Sequence, residues 1–447
     1  MSYLFPRDLK SVPPVITKGE GSYLIDDTGR RYLDASGGPA VSCLGHNHPA
    51  VVAAIQRQVG DISYAYSLFF TTPAIEELAE RLVSQAPAGI EKAFFVSGGS
   101  EAVEAAMKLA RQYFLEIGQP QRRLFIARQR SYHGNTIGAL ALGGDVARRQ
   151  PYEPMLQAVT HIAPCYEYRG RQADETAEAY GLRVADELEQ AILMQGPENV
   201  AAFFCEPVVG ASLGCVPAVP GYLQRLREIC DRYGVLLVFD EVMCGMGRTG
   251  HMYACLEDGV APDIITTAKG LGGGYMPIGG LLIHGRIYRA IADGSGLLRH
   301  GHTYAGHTLA CAGALAVQKV IAEEGLLDKV RQRGAALRAR LEDRFGQHPH
   351  VGDIRGRGLF LGLELVADRE SKASLDPAAK TWLKIRQAGM EEGLLCYPSG
   401  GCVDGKNGDH IILAPAYNIT ESQLDEIVDK LALAMDRVLG SRVPSRA

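Results

Sequence analysis

The sequence predicts an α/β protein whose sheet is mainly parallel. Short runs rich in Val, Ile, Leu and Phe alternate with amphipathic segments, as expected where strands and helices follow one another. Apolar residues make up 47% of the chain and charged residues 22%, the balance of a soluble globular protein with a large core. The predicted buried strands are residues 92–96, 124–127, 201–205, 235–239 and 264–267, and the predicted helices include 101–114 and 221–233.

The two ends of the chain depart from this alternation. Residues 21–33 predict a β-hairpin that turns through polar and glycine residues. The region after about residue 313 predicts a long helix, short strands near 358–365 and 411–413, and a closing helix at 421–439.

The length of 447 residues favours a large domain with a smaller one beside it. We expect the smaller, α+β domain to combine residues 1–60 with residues 316–447, and the large domain to span residues 61–315. Residues 441–447 are expected to form a frayed terminus.

Composition and charge argue against several classes of function. The net charge of −5 and the isoelectric point near 6.2 do not suggest a nucleic-acid partner, which would require a clustered basic face. Ten scattered cysteines without a CxxC pair predict reduced thiols and a cytoplasmic protein. No apolar run reaches the ~20 residues that a membrane helix requires, and residues 1–14 do not resemble a signal peptide.

Two polar side chains follow two of the predicted strands. Asp240 comes directly after the run 235–239, at the strand end where open α/β sheets bind ligands. Lys269 comes after the run 264–267 and precedes glycines 270 and 272–274, a setting that suits a Schiff base. The alternatives are a helix N-cap or metal ligand for Asp240 and a phosphate-binding lysine for Lys269, although the Walker pattern GxxxxGK[ST] does not occur.

Three further segments have the composition of ligand sites. Gly99 and Ser100 open a predicted helix after a strand, which indicates either an anion site or a simple helix cap. Tyr132 follows another strand, where it either stacks on a planar ring or belongs to an ordinary loop. Histidines 300, 302 and 307 suggest zinc, but their spacing is not HExxH and no cysteine or carboxylate lies among them. We therefore expect no metal site.

One cofactor accounts for the whole set. Pyridoxal phosphate requires an amine for its aldehyde, an acid for its ring nitrogen, an anion cradle for its phosphate and an aromatic side chain for stacking. These requirements are met, in that order, by Lys269, Asp240, Gly99 with Ser100, and Tyr132.

The sequence resembles the class III aminotransferases, the omega-amino-acid and amine:pyruvate group of fold type I pyridoxal-phosphate enzymes. The strongest resemblance covers residues 236–280. The other matching segments are 33–49, 97–111, 132–136, 205–210 and 302–314. The resemblance implies a large domain with a seven-stranded sheet. It also implies a homodimer, or a dimer of dimers, with active sites at the subunit interface.

The resemblance also implies roles for individual residues. Lys269 would form the Schiff base and shuttle the proton, and Asp240 would pair with the pyridinium nitrogen. Val242 and Tyr132 would pack on the two faces of the ring. The other implied cofactor contacts are Gly99 and Ser100 at the phosphate, Thr303 at the phosphate of the partner subunit, and His133 and Glu206 near the cofactor.

The substrate side departs from some members of the family. Ornithine- and aminobutyrate-type relatives carry a carboxylate-binding arginine where this sequence has Ile412, which favours pyruvate over 2-oxoglutarate as acceptor. Amine:pyruvate relatives carry a mobile arginine slightly upstream, where Lys406 is the only cation of residues 399–409. Phe69 and Phe70 resemble the aromatic pair that lines the substrate pocket of those relatives.

The expected function is a ping-pong transamination from an amine or omega- or other amino acid donor to a keto acid, pyruvate. The alternatives on the same fold are a pyridoxal-phosphate-dependent aminomutase and a decarboxylase. Two other classes are a cofactor-binding protein without catalysis and a metal-dependent hydrolase that uses the region of His302.

Overall fold

A computed structural model of the chain describes residues 3–440. The prediction for residues 441–447 lies outside the described residues. The strands, numbered along the chain, are β1 Ile16–Glu20, β2 Tyr23–Asp26, β3 Arg31–Asp34, β4 Ile90–Val96, β5 Leu124–Arg128, β6 Thr160–Ile162, β7 Val200–Cys205, β8 Val208–Val209, β9 Val216–Pro217, β10 Leu236–Asp240, β11 Ile264–Thr267, β12 Gly279–His284, β13 Val351–Arg357, β14 Phe360–Leu365, β15 Leu394–Leu395, β16 Tyr397–Gly400 and β17 Asp409–Leu413.

The helices are α1 Gly37–Ala40, α2 Pro49–Asp61, α3 Pro73–Val83, α4 Gly99–Glu116, α5 Ile137–Leu142, α6 Val146–Arg149, α7 Glu167–Gly170, α8 Ala177–Gln195, α9 Tyr222–Tyr233, α10 Cys255–Asp258, α11 Gly285–Asp293, α12 Thr308–Glu323, α13 Leu326–Phe345, α14 Thr381–Glu391 and α15 Glu421–Leu439. Within residues 3–440, no helix combines the length and the apolar character needed to cross a membrane.

Seven strands form the large sheet, in the order β4-β12-β11-β10-β7-β5-β6. The pairs from β11 to β6 are parallel, whereas β12 pairs antiparallel with both β11 and β4. The central strands are apolar along most of their length because helices cover both faces of such a sheet. Every residue of β7, β10 and β11 is buried. The predicted α/β class with a mainly parallel, seven-stranded sheet is confirmed.

The helix α4 packs against β11 and β12. It begins at the edge of the sheet where the parallel strands have their carboxyl ends. Its buried face includes four alanines, whose small side chains favour close packing on the strands. The first residue of α4, Gly99, follows the turn after β4. The fold therefore brings the amino end of a long helix to the same edge as the carboxyl ends of the parallel strands.

Two further sheets combine segments that are distant in the sequence. The sheet β1-β2-β3-β15 pairs the predicted N-terminal hairpin with β15 from the C-terminal region. The antiparallel sheet β13-β14-β17-β16 contains both predicted short C-terminal strands. The helical region predicted after residue 313 divides into α12 and α13, since Gly325 adopts a φ of +60° between them. The domain boundaries at residues 60 and 315 stay a prediction.

Candidate active site

The carboxyl ends of β10 and β11 open into a cavity of about 480 Å³. Eight residues that the sequence analysis singled out line this cavity. They are Gly99, Ser100, Tyr132, His133, Glu206, Asp240, Val242 and Lys269. Five separate segments of the chain therefore meet at one place, as the combined cofactor hypothesis requires.

Asp240 is fixed by three hydrogen-bonding groups at the floor of the cavity. One carboxylate oxygen, Oδ2, lies 2.8 Å from Nδ1 of His133. The other, Oδ1, accepts hydrogen bonds from the Val242 backbone N–H at 3.0 Å and from the Thr266 hydroxyl at 3.1 Å. Both Asp240 and His133 are almost completely buried. A buried carboxylate with this many partners has a fixed orientation and can present its charge to a bound group.

Lys269 begins a short 3-10 turn directly after β11 and its following alanine. Its φ of +43° lies in the left-handed region, which a non-glycine residue adopts only when the surrounding structure holds it there. Burial lowers the pKa of the Lys269 ammonium, while the charges of Asp240 and Glu206 oppose that shift. A lowered pKa is what an amine requires to act as a nucleophile or a base.

Glu206 positions the backbone of Tyr132 on the cavity wall. Its Oε1 accepts a hydrogen bond from the Tyr132 N–H at 3.1 Å, and its Oε2 accepts one from the Gly210 N–H at 2.9 Å. Burial raises the pKa of the Glu206 carboxyl, whereas nearby His133 opposes the shift. The side chain is thus a structural support for the aromatic residue that faces the cavity.

The start of α4 forms a cradle suited to an anion. Gly98, Gly99 and Ser100 line the cavity, and no side chain caps the helix there. The first N–H groups of a helix have no partner within the helix, so they attract an anion. The Ser100 hydroxyl accepts a hydrogen bond from the Asn135 N–H at 3.0 Å, which ties the cradle to the loop that carries Tyr132.

The comparisons with known proteins agree with this geometry. A family model described as aminotransferase class-III matches residues 4–435. The chain belongs to the class III aminotransferases. The resemblance noted from the motifs is therefore confirmed along nearly the whole sequence.

Individual relatives are similar over their full length. An uncharacterized aminotransferase of Schizosaccharomyces pombe is 44% identical over 432 residues, which cover 96% of this chain and 94% of the relative. A putrescine–pyruvate aminotransferase of Pseudomonas aeruginosa is 35% identical over 428 residues, which cover 95% and 90%. The solved structure of the omega transaminase of Pseudomonas jessenii in complex with PMP matches with a TM-score of 0.92 and 33% identity, covering 98% of this chain and 97% of that one.

Four of the predicted site residues do not line the cavity of this class III aminotransferase chain. Phe69 and Phe70 are 71% and 63% exposed. Thr303 is also exposed, and its carbonyl accepts a hydrogen bond from the Tyr64 hydroxyl at 2.8 Å. Lys406 is exposed in a turn that Asp404 stabilises. The roles of all four stay predictions.

Several lining residues of this aminotransferase were missed by the sequence analysis. The apolar members are Val41, Ala211, Met243, Met276, Pro277 and Ile278. Met276, Pro277 and Ile278 follow the glycines after Lys269 with only Tyr275 between, so their place in that motif was an available signal. Val41 lies in the matching segment 33–49, whereas Ala211 carries no signal of this kind, because its segment reaches the cavity only through tertiary packing.

The histidine cluster of this aminotransferase lies apart from the cavity. The rings of His300 and His302 pack edge to face, with centroids 4.9 Å apart. Among residues 3–440, no group of three or more histidine, cysteine or acidic side chains has an arrangement that could hold a metal ion.

Replacing Gly134 with alanine is expected to destabilise this aminotransferase and its cradle together. Gly134 has a φ of +138°, and an added Cβ would lie 2.6 Å from the Ser100 hydroxyl oxygen and 2.9 Å from the Ala139 Cβ. We expect a loss of about 1–3 kcal/mol in the free energy of unfolding from this crowding. Chemical denaturation measures the loss of stability. Titration with pyridoxal phosphate measures the expected drop in affinity for that group.

Gly118→Ala is the matched control for this substitution. Gly118 also has a positive φ, +71°, but an added Cβ there would meet no atom within 4 Å. Both variants place alanine at a positive φ, whereas crowding of Ser100 occurs only in Gly134→Ala. Equal losses of stability and equal cofactor affinities in the two variants would contradict the predicted crowding.

Glu241 is expected to make the stability of this aminotransferase depend on pH. It is fully buried, and it accepts hydrogen bonds from the N–H groups of Ala254 at 2.6 Å and Cys255 at 2.9 Å. Burial raises the pKa of its carboxyl from 4.5 to about 7. Because the folded protein binds this proton more tightly than the unfolded chain, stability should fall as the pH rises from 4.5 through about 7.

The effect is on the order of 3 kcal/mol, since each pKa unit corresponds to about 1.4 kcal/mol. Glu241→Gln should flatten the pH dependence of the melting temperature between pH ~5 and ~8. Glu323→Gln, at an exposed helical position, is the control and should melt with the pH dependence of the wild type. An unchanged pH profile in Glu241→Gln would contradict the assignment.

Proposed function

We propose that this class III aminotransferase transfers an amino group from an amine or amino acid donor to pyruvate, with pyridoxal phosphate as its cofactor. Enzymes of this family depend on that cofactor. The observation that carries the proposal is the convergence of Lys269, Asp240 and the uncapped start of α4 on one cavity. An amine, a fixed carboxylate and an anion cradle are the groups that pyridoxal phosphate requires.

The chemistry of these residues fits the cofactor. The N–H groups at the start of α4 would bind its phosphate, and Asp240 would face its ring nitrogen. When bound, the cofactor supplies an aldehyde that takes up the amino group and a ring that accepts an electron pair from the substrate carbon. The shape and polarity of the cavity, with Val242 and Tyr132 among its lining residues, suit a flat aromatic group.

Asp240 would stabilise positive charge on a protonated ring nitrogen. Its negative charge is held in place by Val242 and Thr266 on one oxygen and by His133 on the other. The side chain therefore needs no reorganisation when positive charge develops in front of it, which is how a preorganised site lowers a barrier.

Lys269 would take the proton from the substrate carbon and return it in the second half of the reaction. Lys269 lines the cavity whose walls also include Asp240 and Glu206. Because burial lowers the pKa of this lysine, a larger fraction of the amine is neutral near pH 7 and able to accept a proton.

The surroundings of Ile412 support pyruvate as the acceptor. Ile412 is 1% exposed and packs in an apolar cluster that includes Met243 and Phe360. The arginine with which ornithine- and aminobutyrate-type relatives bind the substrate α-carboxylate is therefore absent at this position. A relative from Pseudomonas aeruginosa is itself named for pyruvate.

We also propose a homodimer, or a dimer of dimers, with its active sites at the subunit interface. Tyr66, Leu68, Phe69 and Phe70 are all exposed in a single chain, and together they form an apolar surface. Light scattering should give twice the chain mass of 48.2 kDa, or four times that mass. A monomer would contradict the proposed assembly.

All ten cysteines are buried and unpaired, which supports the cytoplasmic location expected from the sequence.

The absorbance spectrum between roughly 300 and 500 nm tests the transfer of the amino group. The purified protein, loaded with pyridoxal phosphate, should lose its long-wavelength band on addition of a suitable amine and regain it on addition of pyruvate. If no band forms, the assignment of the cofactor to Lys269 is wrong. If the band forms and no amine changes it, transamination gives way to the aminomutase and decarboxylase alternatives, which product analysis separates.

A further inference from the structure

The proposed reaction requires a cation for the carboxylate of the keto acid. Of the described residues that line the cavity, only Lys269 is cationic, and it serves the chemistry. Ile412 is apolar and buried, and Lys406 is exposed outside the cavity. Neither position that carries an arginine in related enzymes therefore supplies this charge here.

Arg148, on α6, lies next to the cavity. Its guanidinium carbon is 4.7 Å from the centroid of the Tyr132 ring, and Tyr132 is part of the cavity wall. Burial lowers the pKa of Lys269, and the positive charge of Arg148 adds to that effect, as expected for two close cations. The side chain keeps 34% of its surface exposed, so the surrounding protein does not cover it completely.

The guanidinium is oriented by one partner and open on its other side. Its Nε donates a hydrogen bond to Oδ2 of Asp145 at 3.0 Å. Within the described part of the chain, Nη1 and Nη2 have no hydrogen-bond partner, and the backbone N–H of Arg148 is also held by Asp145. Two parallel N–H donors in a planar fork are the geometry that matches a carboxylate.

The loop of residues 401–408 meets the same part of the molecule. A Cβ added to Gly405 would lie 3.0 Å from Nη1 of Arg130 and 3.3 Å from the Cβ of Val146, the first residue of α6. Arg130 also donates a hydrogen bond to the Gly401 carbonyl at 3.0 Å. The loop in which amine:pyruvate relatives carry their arginine thus contacts Val146, which precedes Arg148 by two residues in the sequence.

We propose that Arg148 binds the carboxylate of the keto acid at the mouth of the cavity, with Asp145 holding its orientation. This inference rests on the proposed function. The carboxylate-binding cation is thereby provided by α6 instead of by the loop that packs against it. Arg148 then favours acceptors and amino acid donors that carry a carboxylate over aldehydes and amines that lack one.

The test compares pyruvate with propanal, an acceptor of similar size without a carboxylate. The enzyme is first converted to its amino form with 1-phenylethylamine, and the rate of the second half-reaction is followed by absorbance with each acceptor. In Arg148→Gln, we expect the ratio of the pyruvate rate constant to the propanal rate constant to fall by roughly 10- to 100-fold, the scale of a charge-assisted hydrogen bond. The ratio in Arg148→Lys should lie between those of the wild type and Arg148→Gln, because lysine keeps the positive charge but lacks the planar pair of N–H donors.

Arg7→Gln is the matched control. Burial raises the pKa of Tyr132, and the charges of Arg7 and Arg148 both oppose that shift, so Arg7 is the other cation near this wall. We expect the ratio of the pyruvate to the propanal rate constant in Arg7→Gln to equal that of the wild type. A loss of preference in Arg7→Gln alone, or an equal loss with both acceptors in Arg148→Gln, would overturn the role of Arg148. A wild-type enzyme that transfers to no acceptor would overturn the proposed function itself.

Discussion

Replacing Lys269 with alanine is expected to abolish turnover. Lys269 is the only cation among the described residues that line the cavity. Burial lowers the pKa of its ammonium group, which favours its action as a base. A general base contributes roughly 10²- to 10⁴-fold, and the nucleophilic amine is lost with it, so a decrease in kcat of at least that scale is expected. The measurement is the steady-state rate with an amine donor and pyruvate.

Two controls separate this loss of chemistry from a loss of structure. Lys384→Ala changes an exposed lysine on α14 and should keep the wild-type rate. Added methylamine should restore part of the rate of Lys269→Ala, because a small amine can occupy the space left by the side chain. A Lys269→Ala enzyme with near-wild-type activity would show that another residue moves the proton.

Replacing Asp240 with asparagine should have the second largest effect. The substitution keeps the size of the side chain but removes the negative charge that His133, Thr266 and Val242 hold in position. Losing one preorganised electrostatic partner costs about 10²- to 10³-fold in rate. We therefore expect kcat to fall on that scale, measured with the same donor and acceptor.

Asp263→Asn is the matched control, since Asp263 is a buried carboxylate at the opposite end of β11. It pairs with Arg227 at 3.0 Å and with Arg286 at 2.5 Å, and it accepts the Leu237 N–H at 2.8 Å. Its loss should lower the melting temperature and leave kcat close to the wild type. If Asp240→Asn retains more than a tenth of the rate, the charge at this position does not drive the reaction.

The central strands could be predicted because their sequences are simple. An apolar run followed by a carboxylate predicted β10, and the run before Lys269 predicted β11. Since these strands are parallel neighbours, with Asp240 paired to Thr266, their carboxyl ends necessarily meet. The nearness of Asp240 and Lys269 was therefore within reach of sequence reasoning.

The remaining features depend on packing between distant segments. The strand β12 was not among the predicted strands, because it begins with Gly279 and Gly280 and resembles a continuation of the glycine-rich loop. Nor does any local pattern bring His133 to within 2.8 Å of Asp240 or Arg148 over Tyr132. Such contacts are set by how loops fold back across the edge of the sheet, which local composition does not encode.

The position of β12 has a consequence for the order in which the molecule can be assembled during synthesis. The strand β4 has its sheet partner in β12, which leaves the ribosome long after α4. An added Cβ on Gly279 would lie 2.4 Å from the Gly98 carbonyl oxygen, so the start of β12 packs directly on the cradle. Until that strand is inserted, the edge of β4 is unpaired and open to wrong partners. The turn at Gly98 therefore cannot complete its packing before β12 is made, although its own residues are synthesised much earlier.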